Sequence, residues 1–244
     1  MATLVLHRRQ ALGIAGRSTS SLGRALAIAL AAALSSVQPA SALATTLGPA
    51  TCGPLRHNYG PFDYRTDRAR LPIVENHHFT PEIEGLIRGK SGSLESEINY
   101  TLHAFPNHHR ALVALTKLGE RRGSQKPGNL PYPIECYFER ALRFQPDDTV
   151  ARMLYADYLV QQRRPDDART QLQRVVAEAA DNAFTHYNLG LLFLKIGDNE
   201  SALQHAHRAE ALGLARPELA DQLKAKGAWR EASAAPASAA ASAP

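Results

Sequence analysis

The sequence predicts an all-α protein: a solenoid of helix–turn–helix pairs, entered by an extended N-terminal arm and closed by a C-terminal capping helix. Three observations predict it. One pattern occurs twice between Thr149 and Arg216 at an offset of 34 residues, with Ala156 matching Gly190 and Ala168 matching Ala202. Leu159 and Phe193, Leu172 and Ala206, and Val175 and Ala209 keep the same register. The repeated places are held by small residues, which let two helices approach closely, and a fixed period of this length marks a stacked helical array. Weaker helical spacing, punctuated by Pro and Gly, extends the pattern back to Thr80 and forward to Trp229.

The first 44 residues contain Arg8, Arg9, Arg17 and Arg24 and no acidic residue. With the apolar run Ala25–Leu34 and small residues at Ala40-Ser41-Ala42 and Ala42-Leu43-Ala44, they read as a secretory signal peptide over residues 1–44, cleaved near Ala42 or Ala44. The apolar run is ten residues, about half the length that spans a bilayer. No stable membrane insertion is therefore expected after signal removal, and a retained anchor is the competing reading. The arginine-containing leader points to the periplasm. The whole chain carries 28 Lys plus Arg against 23 Asp plus Glu. Without the four leader arginines the balance falls to +1, which gives no support to nucleic acid as a partner.

Residues 45–79 are expected to form the arm. Gly53-Pro54, Gly60-Pro61 and Pro72 oppose a continuous helix, while Tyr59, Phe62 and Tyr64 are too aromatic for a free linker. The arm is thus expected to pack on the repeats, with these three rings filling part of a groove in the manner of a ligand. The solenoid is expected over residues 80–229. Thr80-Pro81-Glu82 starts a helix with an apolar face of Ile83, Leu86 and Ile87. A helix follows from Ser93 to Ala104, through Leu94, Ile98, Thr101 and Leu102. Asn107 is expected to cap another through Leu118. The polar stretch Gly119–Pro133 forms a long turn, and Ile134–Phe144 the next helix. Beyond the two clear repeats, Pro217–Lys226 reads as the capping helix that such arrays require. Residues 230–244, rich in Ala, Ser and Pro, read as a disordered tail.

The 34-residue pattern resembles the tetratricopeptide repeat (TPR). Ala183–Arg216 matches it through His186, Leu189, Gly190, Phe193, Ala202 and Ala209. Thr149–Asn182 matches it with Arg152 at the usual aromatic position, and Phe138, Ala141 and Pro146 mark an earlier, weaker unit. The arm motif from His57 to Arg65 is similar to that of a group of exported proteobacterial TPR proteins. The resemblance implies a scaffold that binds a protein or peptide in a concave groove lined by the first helix of each repeat. It places Met153, Asp157, Gln161, Phe184, Tyr187, Asn188, Leu191 and Lys195 on that groove, beside Val150, Leu154, Val160 and Leu194. Leu154, Leu191 and Leu194 read as core before contact, because apolar residues at helical spacing pack inward. Asn188 reads either way, since a buried amide needs partners and a groove-facing one offers them.

Histidines form the other cluster. His77-His78 and His108-His109, near His103, offer imidazoles for zinc or copper. A metal-binding periplasmic protein or metal-dependent enzyme built on these pairs is therefore the alternative function. Adjacent residues on a helix point about 100° apart, so the pairs read first as cap and surface segments near helix starts, and no metal or other cofactor is expected. No Gly-x-Ser-x-Gly, phosphate-binding loop or dinucleotide fingerprint is present, so no enzymatic activity is expected. Cys52 and Cys136, the two cysteines, both follow the leader. An oxidising compartment favours their pairing, with two separate thiols as the alternative.

Overall fold

The computed structural model describes residues 49–232 apart from Ala215. The expected signal peptide and most of the expected tail lie outside these residues. Among the described residues the secondary structure is helical throughout, with no strand.

The solenoid is built from α3 (Pro81–Glu84), α4 (Leu94–Ala104), α5 (His109–Arg122), α6 (Ile134–Phe144), α7 (Thr149–Gln161), α8 (Pro165–Glu178), α9 (Ala183–Lys195), α10 (Asn199–Ala211) and α11 (Pro217–Ala225). Sequence-adjacent helices from α4 onward pack against one another. The odd-numbered helices also touch in series, α3 on α5, α5 on α7, α7 on α9 and α9 on α11. The result is two layers: a continuous row of odd-numbered helices, and the even-numbered helices behind it.

Each start has a local cause. The side chains of Ser93, His108, Asp148, Asn182 and Asp198 accept hydrogen bonds from backbone N–H groups three residues on, capping α4, α5, α7, α9 and α10. Pro165 and Pro217 stand in the first turns of α8 and α11, where a missing N–H costs nothing. The core between the layers holds the small residues of the repeat, with Ala156, Ala168 and Ala202 fully buried, among Leu159, Leu172, Leu189 and Phe193. Gly190 is required by close approach: a Cβ there would lie 2.4 Å from Leu219 Cδ2 and 3.3 Å from the Ala202 carbonyl oxygen. Arg152, at the expected aromatic position, is buried. It donates to Gln171 Oε1 at 3.0 Å and the Pro146 carbonyl at 2.6 Å.

Four sequence expectations need correction. The arm is not extended throughout residues 45–79: α1 (Pro49–Cys52), a 3-10 turn (Arg68–Arg70) and α2 (Leu71–His78) interrupt it. α3 stops at Glu84, so Ile87 is 71% exposed while Ile83 and Leu86 are buried. His108, not Asn107, caps α5, and that helix runs to Arg122 before Gly123 turns left-handed. Tyr59, Phe62 and Tyr64 do not fill the groove. They form a second, smaller core with Leu71, Val74, Tyr100, Ala104 and Phe105, and the arm helices α1 and α2 pack on α6 and α4, the even-numbered layer.

Candidate functional site

The row of odd-numbered helices leaves an open trough. Between α7 and α9 lies a cavity of about 370 Å³ with a floor of Val150, Met153, Leu154, Leu191 and Leu192. Asp157, Asn188, Lys195 and, from α11, Gln222 form its polar margin. Val150 and Leu154 also line a second cavity of about 220 Å³ between α5 and α7, with Val113, Ala114, Lys117, His109, Arg110 and Glu84. A smaller one of about 130 Å³, reached past Leu154 and Asp157, includes Lys117, Glu120 and Gln161. Shared walls make these one continuous surface along the row.

Five of the eight expected groove residues, Met153, Asp157, Asn188, Leu191 and Lys195, surround the largest cavity. Gln161 lies on the smaller one. Phe184 and Tyr187 stand apart from these cavities. The Tyr187 hydroxyl reaches Glu218 Oε2 at 3.2 Å, and the Arg216 guanidinium lies 5.8 Å from both ring centroids. Phe184 is nevertheless 58% exposed. Lys195 Nζ donates to Asp157 Oδ1 at 2.5 Å, tying α9 to α7 across the trough. The Asn188 and Gln222 side-chain amides make no hydrogen bond to any described residue, and both are exposed. The cavity walls contributed by α5 and α11 were missed by the sequence reading; the α5 residues follow from stepping the capping position back from Asp148 to His108.

At the N-terminal ends of α5 and α7 the arm is held by a polar clasp. Asn107, fully buried, donates to Asp63 Oδ1 at 2.7 Å and Asp148 Oδ2 at 2.8 Å, and its Oδ1 accepts from the Tyr64 N–H at 3.0 Å. Arg65 bonds Asp63 at 2.9 Å and Asp147 at 3.1 Å. Burial works to raise the Asp63 pKa, but hydrogen bonds from Arg65 and Asn107 outweigh it and hold it at about 2. Asp148 is likewise lowered: burial opposes, and bonds from His109, Ala151 and Asn107 prevail.

The four histidines considered for metal are dispersed, each in a different setting. His77 is exposed on α2, and His78 Nδ1 lies 2.7 Å from Glu97 Oε2. His108 is fully buried; its Nδ1 accepts from the Ala111 N–H, so Nε2 donates to Glu75 at 3.1 Å. His109 Nε2 faces Asp148 at 2.9 Å. Buried capping by His108 replaces the surface position expected for it. No group of three or more His, Cys, Asp or Glu among the described residues is placed to hold a metal ion. Cys52 and Cys136 are joined in a disulfide with Cα atoms 5.0 Å apart, fastening α1 to α6.

Paired helices stacked in two layers, with small residues at their contacts and an open trough along one row, define a helical-repeat scaffold. Residues 137–187 match the family model described as tetratricopeptide repeat. The match takes in most of α6, all of α7 and α8 and the start of α9, so over these helices the chain is similar to tetratricopeptide repeats. No curated protein and no solved structure matches the chain.

Proposed function

We propose that this chain is a binding scaffold that holds a segment of another protein in the trough of its odd-numbered helices. The observation that carries the reading is the largest cavity, whose apolar floor lies open between α7 and α9 under two amides with unused hydrogen-bonding capacity. Apolar floors supply affinity and a few polar groups fix orientation. The function is binding, with no chemistry asked of the trough. Random-peptide display against the full chain tests it. Peptides are expected whose affinity falls on Asn188→Ala and is lost on Val150→Asp, with melting unchanged in both variants. Val150 is 41% exposed and stands in the first turn of α7, where a carboxylate suits the helix dipole. Selected peptides that bind both variants as tightly as the parent would overturn the reading.

The site of action in this proposal is the periplasm, after removal of the leader. The Cys52–Cys136 bond supports an oxidising compartment. N-terminal sequencing of the protein from an envelope extract is expected to begin after Ala42 or Ala44; recovery with Met1 intact would count against export.

A further inference from the structure

A cavity of about 180 Å³ opens where the arm meets α2 and α4. It is lined by buried Val74, by Ile73, which is exposed, and by Tyr59, Tyr100, His77 and His78. None of these residues lines the trough cavities. The space falls below the roughly 300 Å³ of a drug-sized pocket and suits a compound of one ring. Aromatic walls favour an aromatic body, which they meet edge-on or offset.

One of the polar groups on this cavity has its hydrogen-bonding role fixed. His78 ends α2, and its carbonyl accepts from the Thr101 hydroxyl at 3.0 Å. Its ring centroid lies 3.9 Å from that of Tyr100, and its Nδ1 lies 2.7 Å from Glu97 Oε2. Glu97 is buried, and its Oε1 accepts from the backbone N–H groups of Lys90, Ser91 and Gly92 at 3.1, 2.5 and 3.0 Å. Burial works to raise the Glu97 pKa, but bonds from Ser91, His78 and Gly92 outweigh it and hold it low. An ionised carboxylate only accepts, so the hydrogen of the Glu97 bond sits on His78 Nδ1. In the neutral ring Nε2 is then a lone pair, and no described residue donates to it. The other polar groups carry no such constraint. The Tyr59 and Tyr100 hydroxyls and the His77 ring make no hydrogen bond to any described residue. A hydroxyl turns to donate or accept, and an unpartnered imidazole takes either tautomer.

We propose that this cavity binds a small single-ring compound whose N–H or O–H group donates to His78 Nε2, with the ring against Tyr59, Tyr100 and Val74. Phenols and azoles with a free N–H are the class it fits, and ring compounds that can only accept are disfavoured. His78 sets that specificity. Glu97, whose oxygens are taken up by His78 and the backbone, is the positioning residue that fixes the tautomer. The site is independent of the trough reading.

The test is an NMR titration of the oxidised full chain at pH 8, where imidazole is ordinarily neutral. The probes are pyrrole, whose N–H only donates, and pyridine, whose nitrogen only accepts. Probes this small bind at roughly millimolar concentrations. Saturable shifts are expected in the ring resonances of His78 and Tyr100, with pyrrole about fivefold tighter than pyridine, the scale of one hydrogen bond. In Glu97→Gln the amide oxygen still accepts from the three backbone N–H groups, while its NH₂ donates to His78 Nδ1. The tautomer flips, Nε2 becomes the donor, and pyridine should bind more tightly than pyrrole. His78→Phe keeps a ring against Tyr100 and should abolish the preference. Equal binding of the two probes by the parent, or shifts confined to the trough's Asn188 side-chain amide, would overturn the proposal. A probe order unchanged in either variant would make His78 only a fastening of α2 to α4 and overturn it too. The comparison on the parent needs no variant, so it decides even if a substitution loosens α2.

Discussion

Individual residues in this chain are made dependable by being used twice. Asp148 caps α7 and receives Asn107 and His109; Asn107 in turn satisfies the Tyr64 N–H of the arm and two carboxylates. Asn107→Ala would leave those groups buried without their partner, at about 1–3 kcal/mol for each unsatisfied group. A urea titration should show a midpoint well below the parent's, and a change of under half a kilocalorie would mean that water replaces the amide freely. Protonation acts on a different pair. The His205 pKa is pushed down to about 4, by burial first and by His186 second, whose Nδ1 lies 3.0 Å from its own. A histidine kept neutral in the fold contributes stability that is complete above its ordinary value of about 6.5 and is lost as pH falls from there toward its folded value. His108, lowered by burial despite Glu75, loses its contribution on the same side. Melting temperature should therefore fall between pH 6.5 and 5, and His205→Phe should flatten part of that slope while keeping a ring against Phe193. An unchanged slope would show that His205 takes up its proton in the folded chain. Asp63 and Asp148 act lower. Their depressed pKa values give stability that persists above about pH 4 and is lost only as pH falls further, for Asp63 toward about 2.

Helices were legible in the sequence where their packing repeats, and illegible where a single tertiary contact makes them. α7 to α10 announce themselves because Ala156, Gly190, Ala168 and Ala202 recur at contacts that demand small residues. α2 gives no such signal. Only Leu71 and Val74 of its eight residues are buried, and Ile73 between them points to solvent at 56% exposure, so no i, i+3, i+4 face is written. Its helix is fixed by the second core with Phe105 and Ala104. The capping residue of α5 was misread for a related reason: Asn107 is the better capping side chain by propensity, but the arm takes it, and His108 caps instead. The trough was legible through its repeat positions on α7 and α9. Phe184 and Tyr187 fell outside its cavities because Arg216 and Glu218, from the segment opening α11, occupy them. No repeat position specifies those residues. The tightest element contact supplies a test. Gly190→Leu sets a side chain where even a Cβ would meet Leu219 at 2.4 Å and the Ala202 carbonyl at 3.3 Å. Overpacking of this kind costs about 1–3 kcal/mol. The variant should melt below the parent, with Gly190→Ala between them because the Leu219 methyl can turn aside. Equal melting of parent and leucine variant would place the α9–α10 contact elsewhere.

At the scale of the molecule, the arm helices α1 and α2 pack on α6 and α4, away from the α7–α9 cavity, and that separation has a measurable consequence. The arm is fastened by the disulfide to α6, by the small aromatic core against α4, and by the Asp63–Arg65 clasp at the N-terminal ends of α5 and α7. Beside the disulfide, Arg140 is fully buried with no carboxylate partner among the described residues. Its Nη1 donates to the carbonyls of Cys52 and Pro54 at 3.1 and 2.5 Å, and its guanidinium lies 5.5 Å from the Tyr132 ring centroid. The burial lowers its pKa, so the arm's backbone is the partner that makes its charge tolerable. Joining residues 84 apart, the disulfide removes chain entropy from the unfolded state worth about 4–5 kcal/mol in the loop model, an upper figure for a denatured chain with residual structure. The double variant Cys52→Ser, Cys136→Ser should therefore lose much of its stability. At a temperature well below its own melting point it should still bind a display-selected trough peptide with the parent's affinity, because none of the described arm residues lines the α7–α9 cavity. Calorimetry for the first quantity and NMR titration for the second separate the two roles. Full stability in the double variant would make the arm's other fastenings sufficient. A parallel fall in affinity would show instead that the strap on one layer sets the spacing of α7 and α9 on the other, and that arm and trough are a single device.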